Sequence, residues 1–380
     1  MRVYLTVIVI FLTITIPACT HNKNKLVECC IKCTSPDEAM SSCSALIQMG
    51  IFHGKELALL LKFRGNAHLR KDEYDLAILD YDQSIQLNPN VESTLLNRGA
   101  AYAKKDEYDK AIQDLDKAIK LDPNDANAFS NRGLAYRNKG EYEKAIQDFD
   151  QAIKLDPKDI DILVRRGFAY QLKGDFDRAI HDYNQVIKMN PSDGEAFNAR
   201  GTIYSSKGEY NLAFQDFDQA IRLNPSEVAP FGNRGMTYFF LGQFSNAQKD
   251  LSKALELDPG YAYSMIWVYL VKTRLNQDAL GELSKNASRV DLKKWPGQVI
   301  SLYLGDLTSE AFLSLVKDLN KNRDKQQMHC EAYFYLGEKA LIQGDQDKAL
   351  FLFKKSIQTQ AIGFVEYYEA QAELKRLLHE

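Results

Sequence analysis

The chain has 380 residues, 45% hydrophobic and 26% charged, enough for two or three domains at roughly 100–200 residues each. That composition excludes a disordered chain, a collagen-like chain and a multi-span membrane protein. The 48 basic and 51 acidic residues nearly cancel to a net charge of −3, so no global basic field is available and no nucleic-acid partner is expected.

The first segment reads as an address. Met1-Arg2 is a minimal basic start, and residues 3–16 are apolar apart from threonines. The stretch falls short of the roughly 20 residues a membrane-spanning helix needs and reads as the apolar core of a signal peptide over 1–18. Ile16-Pro17-Ala18-Cys19 resembles a bacterial lipobox. That resemblance implies lipidation of Cys19 and, with Thr20 behind it, sorting to the outer membrane. Residues 19–26 then form a polar tether. Two acyl chains anchor a protein stably where one does not, so the membrane partner is expected through the lipid alone.

Residues 27–57 read as an N-terminal helical cap carrying Cys29, Cys30, Cys33 and Cys43. Export to an oxidising compartment permits disulfides. Cys33–Cys43, flanking the start of a helix, is the expected bridge, and Cys30–Cys43 is its rival. The spacing Cys29-Cys30-x-x-Cys33 also suggests a metal or redox site. Zinc takes four ligands and no paired His/Cys set follows, so neither a metal nor a cofactor is expected.

Six of the ten prolines stand at 89, 123, 157, 191, 225 and 259, each 34 residues after the last. Such regular spacing marks a repeat array, here 58–91, 92–125, 126–159, 160–193, 194–227 and 228–261. The eighth position is always glycine (Gly65 to Gly235), the twentieth always alanine (Ala77 to Ala247), and the eleventh is tyrosine in five copies and His68 in the first. This pattern resembles the tetratricopeptide repeat. The resemblance implies two antiparallel helices per repeat and an all-α superhelical solenoid whose first helices line a concave face. Small residues let helix axes approach, large ones fill the space beside them, and proline ends each second helix. Arginine recurs at position 7 (Arg64 to Arg234) and aspartate at position 23 (Asp80 to Asp250). Six identical copies point to a structural Arg–Asp ladder, because a catalytic site would be singular.

Binding is expected where the repeats differ along their first helices. Toward the N-terminus the groove positions are Lys62, Asn66, Arg70, Asn97, Lys104, Asn127, Asn131, Arg137 and Asn138. Toward the C-terminus they are Val164, Phe168, Leu172, Met236, Phe239 and Phe240. A groove that is polar and mildly basic at one end and apolar at the other suits an extended peptide or a partner helix. Lys62, Asn66 and Asn97 are also similar to three positions of the carboxylate clamp in chaperone-binding tetratricopeptide domains. Asn127 and Asn131 replace its two remaining basic residues.

Residues 262–329 keep a helical pattern but lose the repeat consensus. The run 265–271 (MIWVYLV) is too short to span a membrane and is expected to be buried. Residues 299–304 and 309–319 read as a short helical pair. A seventh repeat returns at 330–363, with Tyr333, Gly337, Ala349 and Phe353 in register, and 364–380 reads as a capping helix over the last apolar face. The segments WVYL at 267–270, Lys294-Trp295, YLGD at 303–306 and YFYLG at 333–337 resemble the NlpI-like tetratricopeptide lipoproteins of the Gram-negative outer membrane. That resemblance implies a dimeric periplasmic adaptor that delivers cell-wall hydrolases to a processing protease and scaffolds peptidoglycan enzymes. The alternatives are a pilot lipoprotein for secretins or outer-membrane β-barrels, and a generic protein-interaction scaffold. No P-loop, dinucleotide fingerprint, HExxH or GxSxG is present, so no catalytic activity is expected.

Overall fold

The computed structural model describes residues 23–317 and 322–378; the signal segment, Cys19 and His379 lie outside them. Every regular element among the described residues is helical. The chain divides into two compact units, ending at Lys158 and beginning at Asp159.

The first unit opens with α1 (Lys23–Lys32) and α2 (Pro36–Gln48). Ser35 caps α2 by accepting from the Glu38 N–H at 3.4 Å, and Pro36 takes the first helical position, where a missing N–H costs nothing. A disulfide joins Cys30 to Cys43, not Cys33 to Cys43. Position along the helix decides the pairing. Cys30 lies on the buried face of α1 with Val27, against Cys43 and Leu46. Cys33, three residues on, sits at the helix end, where its thiol meets the Glu38 carboxylate at 2.9 Å.

Three hairpins follow: α3 (Gly54–Arg70) with α4 (Tyr74–Leu87), α5 (Glu92–Lys104) with α6 (Tyr108–Leu121), and α7 (Ala126–Asn138) with α8 (Tyr142–Leu155). The second unit continues with α9 (Ile160–Lys173) and α10 (Phe176–Met189), α11 (Gly194–Ser206) and α12 (Tyr210–Leu223), and α13 (Val228–Phe240) and α14 (Phe244–Leu257). Each unit is thus a stack of helical hairpins, as the repeat pattern predicts. Within a hairpin the glycine at position 8 faces the large residue at position 24. A Cβ built on Gly133 would stand 2.9 Å from the Phe149 ring and 3.1 Å from the Ala145 carbonyl oxygen. The hairpin turn needs a left-handed residue at position 15. Gly140, Gly174, Gly208 and Gly242 supply it, whereas Asp72 and Asp106 adopt φ 59° and 60° in the first two repeats.

The Arg–Asp ladder is present in both units. Arg64, Arg98 and Arg132 bind Asp80, Asp114 and Asp148 through paired hydrogen bonds of 2.6–2.8 Å. Arg166, Arg200 and Arg234 do the same with Asp182, Asp216 and Asp250. The remaining guanidinium nitrogen reaches back one repeat, from Arg98 to Asp82 and from Arg132 to Asp116, each at 2.6 Å. The paired aspartates Asp80/Asp82 and Asp114/Asp116 therefore serve different arginines, as their opposed helix faces require.

Beyond the sixth repeat the consensus fails at a definite place. In α15 (Ala262–Arg274) Tyr269 stands where glycine would be, and its ring packs on Tyr303 at 4.8 Å. Without the notch a full second helix cannot close on α15. Short pieces replace it: α16 (Leu280–Asn286), α17 (Gly297–Leu304) and α18 (Ser309–Lys317). The run 265–271 is buried throughout, with Trp267 packed edge-on against Phe239 at 5.3 Å. Then come α19 (Asn322–Ile342), α20 (Gln346–Gln358) and α21 (Val365–Leu378). The notch returns in this hairpin, where a Cβ on Gly337 would meet the Phe353 ring at 2.5 Å.

Two substitutions test this packing. Gly133→Ala lowers stability by about 1–3 kcal/mol through overpacking despite alanine's better helix propensity. Asp106→Gly raises it by about 1 kcal/mol by relieving left-handed strain. Urea unfolding monitored by circular dichroism reads both signs.

Candidate functional site

The inner faces of the two units differ. In the first, the side chains predicted for the groove come together but engage one another. Asn66 Oδ1 accepts from Tyr81 Oη and from Asn97 Nδ2, both at 2.8 Å. Lys62 donates to Ser93 Oγ at 3.3 Å and lies 5.0 Å from the Phe63 ring centre. Burial pushes its ammonium below the ordinary lysine value. Arg70 points elsewhere: it donates to the carbonyl oxygens of Cys33 and Thr34, closing the end of α1. Arg137 bonds Asn138 Oδ1 at 3.0 Å. Lys104 and Asn127 stay exposed, with Asn131 half-buried.

Two acids missed by the sequence reading sit at this face. Glu92 opens α5 and Asp125 caps α7. Burial, and then hydrogen bonding to Asp125, raise the Glu92 carboxyl to about 7. Of the basic groove residues it is Lys62 that Glu92 faces, each acting electrostatically on the other. A second ladder was also missed, on the turn side: Lys71–Asp37 at 2.5 Å, and Lys139–Asp109 and Lys207–Asp177 at 2.7 Å. Its signal was lysine recurring at position 14. These aspartates are exposed, so each pair adds little.

In the second unit the apolar groove positions are not an open surface. Leu172 and Phe239 are buried, Val164 and Phe168 half-buried. The chain's own C-terminal segment covers this face. Gly363 sits so close to Leu172 that a Cβ there would be 2.9 Å from its Cα. Tyr368 packs on Phe176 with ring centres 6.1 Å apart. Arg376 donates to the carbonyl oxygens of Phe239 and Phe240 at 3.2 and 3.0 Å. Met236 and Phe240 share a small pocket with Val365.

α21 packs through an acidic stripe. Glu366, Glu369 and Glu373 are all buried, as are Glu331 and Glu338 of α19. Arg274 pairs with Glu338 at 2.8 Å and with Glu373 at 3.2 Å, and Arg376 with Glu373. Among the described residues neither carboxylate oxygen of Glu369 has a hydrogen-bond partner. Burial and the neighbouring acids push its carboxyl well above the usual range. Burial likewise raises Glu338 and Glu366, each to about 8.

Among the described residues, one group of three side chains has ligand atoms close enough for a metal: Cys29, Cys33 and Glu38, within 4.8 Å of one another. Glu38 is exposed, and no fourth ligand of the kind zinc needs joins them. Hydrogen bonding to Glu38, then to Cys29, raises the Cys33 thiol to about 11. Among the described residues no helix is long and apolar enough to cross a membrane.

Stacked antiparallel hairpins with a glycine notch and an arginine ladder define a helical repeat scaffold. Profiles described as TPR repeat match residues 103–140 and 133–174, and profiles described as tetratricopeptide repeat match 63–91, 160–193, 194–227 and 229–261. The chain therefore carries tetratricopeptide repeats and is a protein-interaction scaffold of that kind. A solved tetratricopeptide repeat protein from Parabacteroides merdae is similar over 66% of this chain and 98% of its own, at 20% identity and a TM-score of 0.55. It shares the fold. A structure of MamA (29% identity, 42% of this chain, 94% of that chain, TM-score 0.40) and one of YrrB, titled a TPR protein with an unusual peptide-binding site (22%, 49%, 96%, 0.39), overlay more partially.

The buried acids set a pH dependence. A carboxyl whose pKa is higher packed than unfolded holds more protons when packed. Its stability contribution is complete below the unfolded value of about 4.3 and is lost as pH rises toward 8. The thermal midpoint of the second unit therefore falls between pH 5 and 8, and Glu369→Gln flattens that slope and raises the midpoint at pH 8. Differential scanning calorimetry across this range checks both.

Proposed function

We propose that the protein is a lipid-anchored adaptor of the bacterial envelope, held at the periplasmic side of the outer membrane by Cys19. The inner face of its first unit takes an extended segment of a partner protein. The observation that carries the binding surface is the contrast between the two inner faces: the C-terminal segment lies over part of the second, while the first keeps Lys104 and Asn127 exposed and Asn131 half-exposed. Side-chain amides there pair with an extended backbone without demanding a particular charge. The likeness of residues 16–19 to a lipobox supports the anchor. The likeness of the C-terminal third to NlpI supports partners among processing proteases and peptidoglycan enzymes, and a dimeric state.

Two measurements test this reading. Cys19→Ala moves the protein from the membrane pellet to the soluble fraction with an unchanged circular dichroism spectrum; continued sedimentation with membranes contradicts the anchor. Pull-down from envelope extracts with the full chain recovers a processing protease or a wall hydrolase, and Lys104→Glu with Asn131→Glu reduces recovery about tenfold, the order of a lost charged contact. Recovery of a secretin or barrel subunit instead supports the pilot alternative.

A further inference from the structure

A cleft of about 280 Å³ opens in the second unit between α13, α15, α19 and the start of α21. Its α13 wall is Val228, Ala229, Gly232, Asn233 and Met236, the last four being the second, fifth, sixth and ninth positions of the sixth repeat. It is thus the part of this unit's inner face that α21 leaves open.

Two carboxylates line it, Glu331 at 1% and Glu366 at 7% exposure. Glu331 accepts from Tyr263 Oη at 3.0 Å and from Trp295 Nε1 and Gln327 Nε2 at 2.8 Å. Glu366 accepts from Tyr335 Oη at 3.2 Å. Every one of these donors is neutral. Among the described residues no lysine or arginine pairs with either acid; the nearby guanidiniums of Arg274 and Arg376 are engaged at Glu338 and Glu373. Ser264, 2% exposed, also faces the cleft, and its hydroxyl has no hydrogen-bond partner among the described residues. The walls include Trp267 and the rings of Tyr261 and Tyr263, 5.8 Å apart. A Cβ added at Gly232 would meet nothing within 4 Å.

Buried carboxylates normally have a cationic partner, since an uncompensated buried charge is costly. Aromatic faces attract cations, most strongly where water is excluded. We propose that this cleft binds the cationic head of an arginine or lysine side chain carried by a partner polypeptide, with Glu331 and Glu366 as counter-charges and Ser264 as a further acceptor. The proposal deepens the adaptor reading and rests on it only for the source of the cation. A bound cation favours the ionised form of Glu366, whose carboxyl burial and then Glu331 hold at about 8. Around it stand Glu331 and Tyr335 of α19, Tyr261 and Tyr263 at the start of α15, and Glu369 one turn along α21. Affinity therefore rises from pH 6 to pH 9.

The test titrates the full chain with N-acetyl-arginine amide and its neutral isostere N-acetyl-citrulline amide, read by tryptophan fluorescence and calorimetry. The arginine probe binds at least about tenfold more tightly than the citrulline one, and Glu366→Gln removes about tenfold of that affinity. Gly232→Leu, which fills the cleft from a site with free space, abolishes binding while leaving the thermal midpoint unchanged or higher. Equal binding of the two probes, no saturation by the arginine probe, or full affinity in Gly232→Leu overturns the proposal. Tighter binding of spermidine than of the arginine probe supports the cation site and assigns its source to a free polyamine. The probes need no partner protein. Failure here leaves the envelope pull-down standing, and failure of the pull-down leaves the cleft standing.

Discussion

The structure depends on one steric constraint: a helix bearing glycine must lie against a helix bearing a large side chain at a separation that no Cβ tolerates. At Gly65, Gly133 and Gly201 an added Cβ would stand 2.7, 2.9 and 2.9 Å from a ring atom of Tyr81, Phe149 and Phe217. The approach is close enough to bury those rings completely or nearly so, and close packing of this kind tolerates little change in volume. Repetition follows from the same contact. Each hairpin buries its large residue against its own glycine, and then presents a first helix to the next hairpin. Where the glycine is replaced by Tyr269, the hairpin is not completed, and an irregular aromatic core takes over from the regular stack.

The charges follow from that geometry. Bringing helix axes together also brings polar side chains into partly dry space, and an isolated aspartate there would be expensive. The bidentate guanidinium–carboxylate geometry of Arg98 with Asp114 neutralises it. Its spare nitrogen, bonded to Asp82 of the preceding repeat, ties one hairpin to its neighbour. Most of the chain's arginine charge along the repeats is therefore consumed internally. This limits how much of the charge of 48 basic residues is left for the inner face of the first unit, where Glu92 acts on Lys62.

What was legible in the sequence was whatever repeats. The hairpins, the glycine notches, the arginine ladder and the buried run at 265–271 all follow from residue types recurring at fixed positions. Single events were harder to read. The disulfide partner of Cys43 is decided by depth along a ten-residue helix: Cys30 lies within it against the core, and Cys33, about a turn on, lies just past its end. Arg70 occupies a groove position by count but lies at the array's end, where the free carbonyls of α1 attract it. The largest difference concerns α21. Glu366, Glu369 and Glu373 stand at i, i+3 and i+7, a pattern that ordinarily marks a solvated helix face. Here it is the buried one, because the surface beneath supplies Arg274 and Tyr335 and the helix's own Arg376 pairs with Glu373.

Placing an acidic stripe inward has a consequence for the neighbouring surface. The segment leading into the helix lies against Leu172, the helix itself reaches the Phe239 and Phe240 carbonyls, and the Phe239 ring is taken up by Phe244 and Trp267, so the open hydrophobic groove that periodicity alone would assign is reduced. In exchange the helix concentrates carboxylates behind aromatic walls, with two arginines for five buried glutamates. Those arginines satisfy Glu338 and Glu373, at the end of the stripe nearest α13's C-terminus. The imbalance is left at the other end, where Glu366 opens α21 beside Glu331 and where the chain leaves a cleft. Apolar burial and charge compensation are thus met at one end of the same helix; the acids left without a cationic partner, Glu366 and Glu369, lie along the rest of it, and of the two only Glu366 faces the cleft.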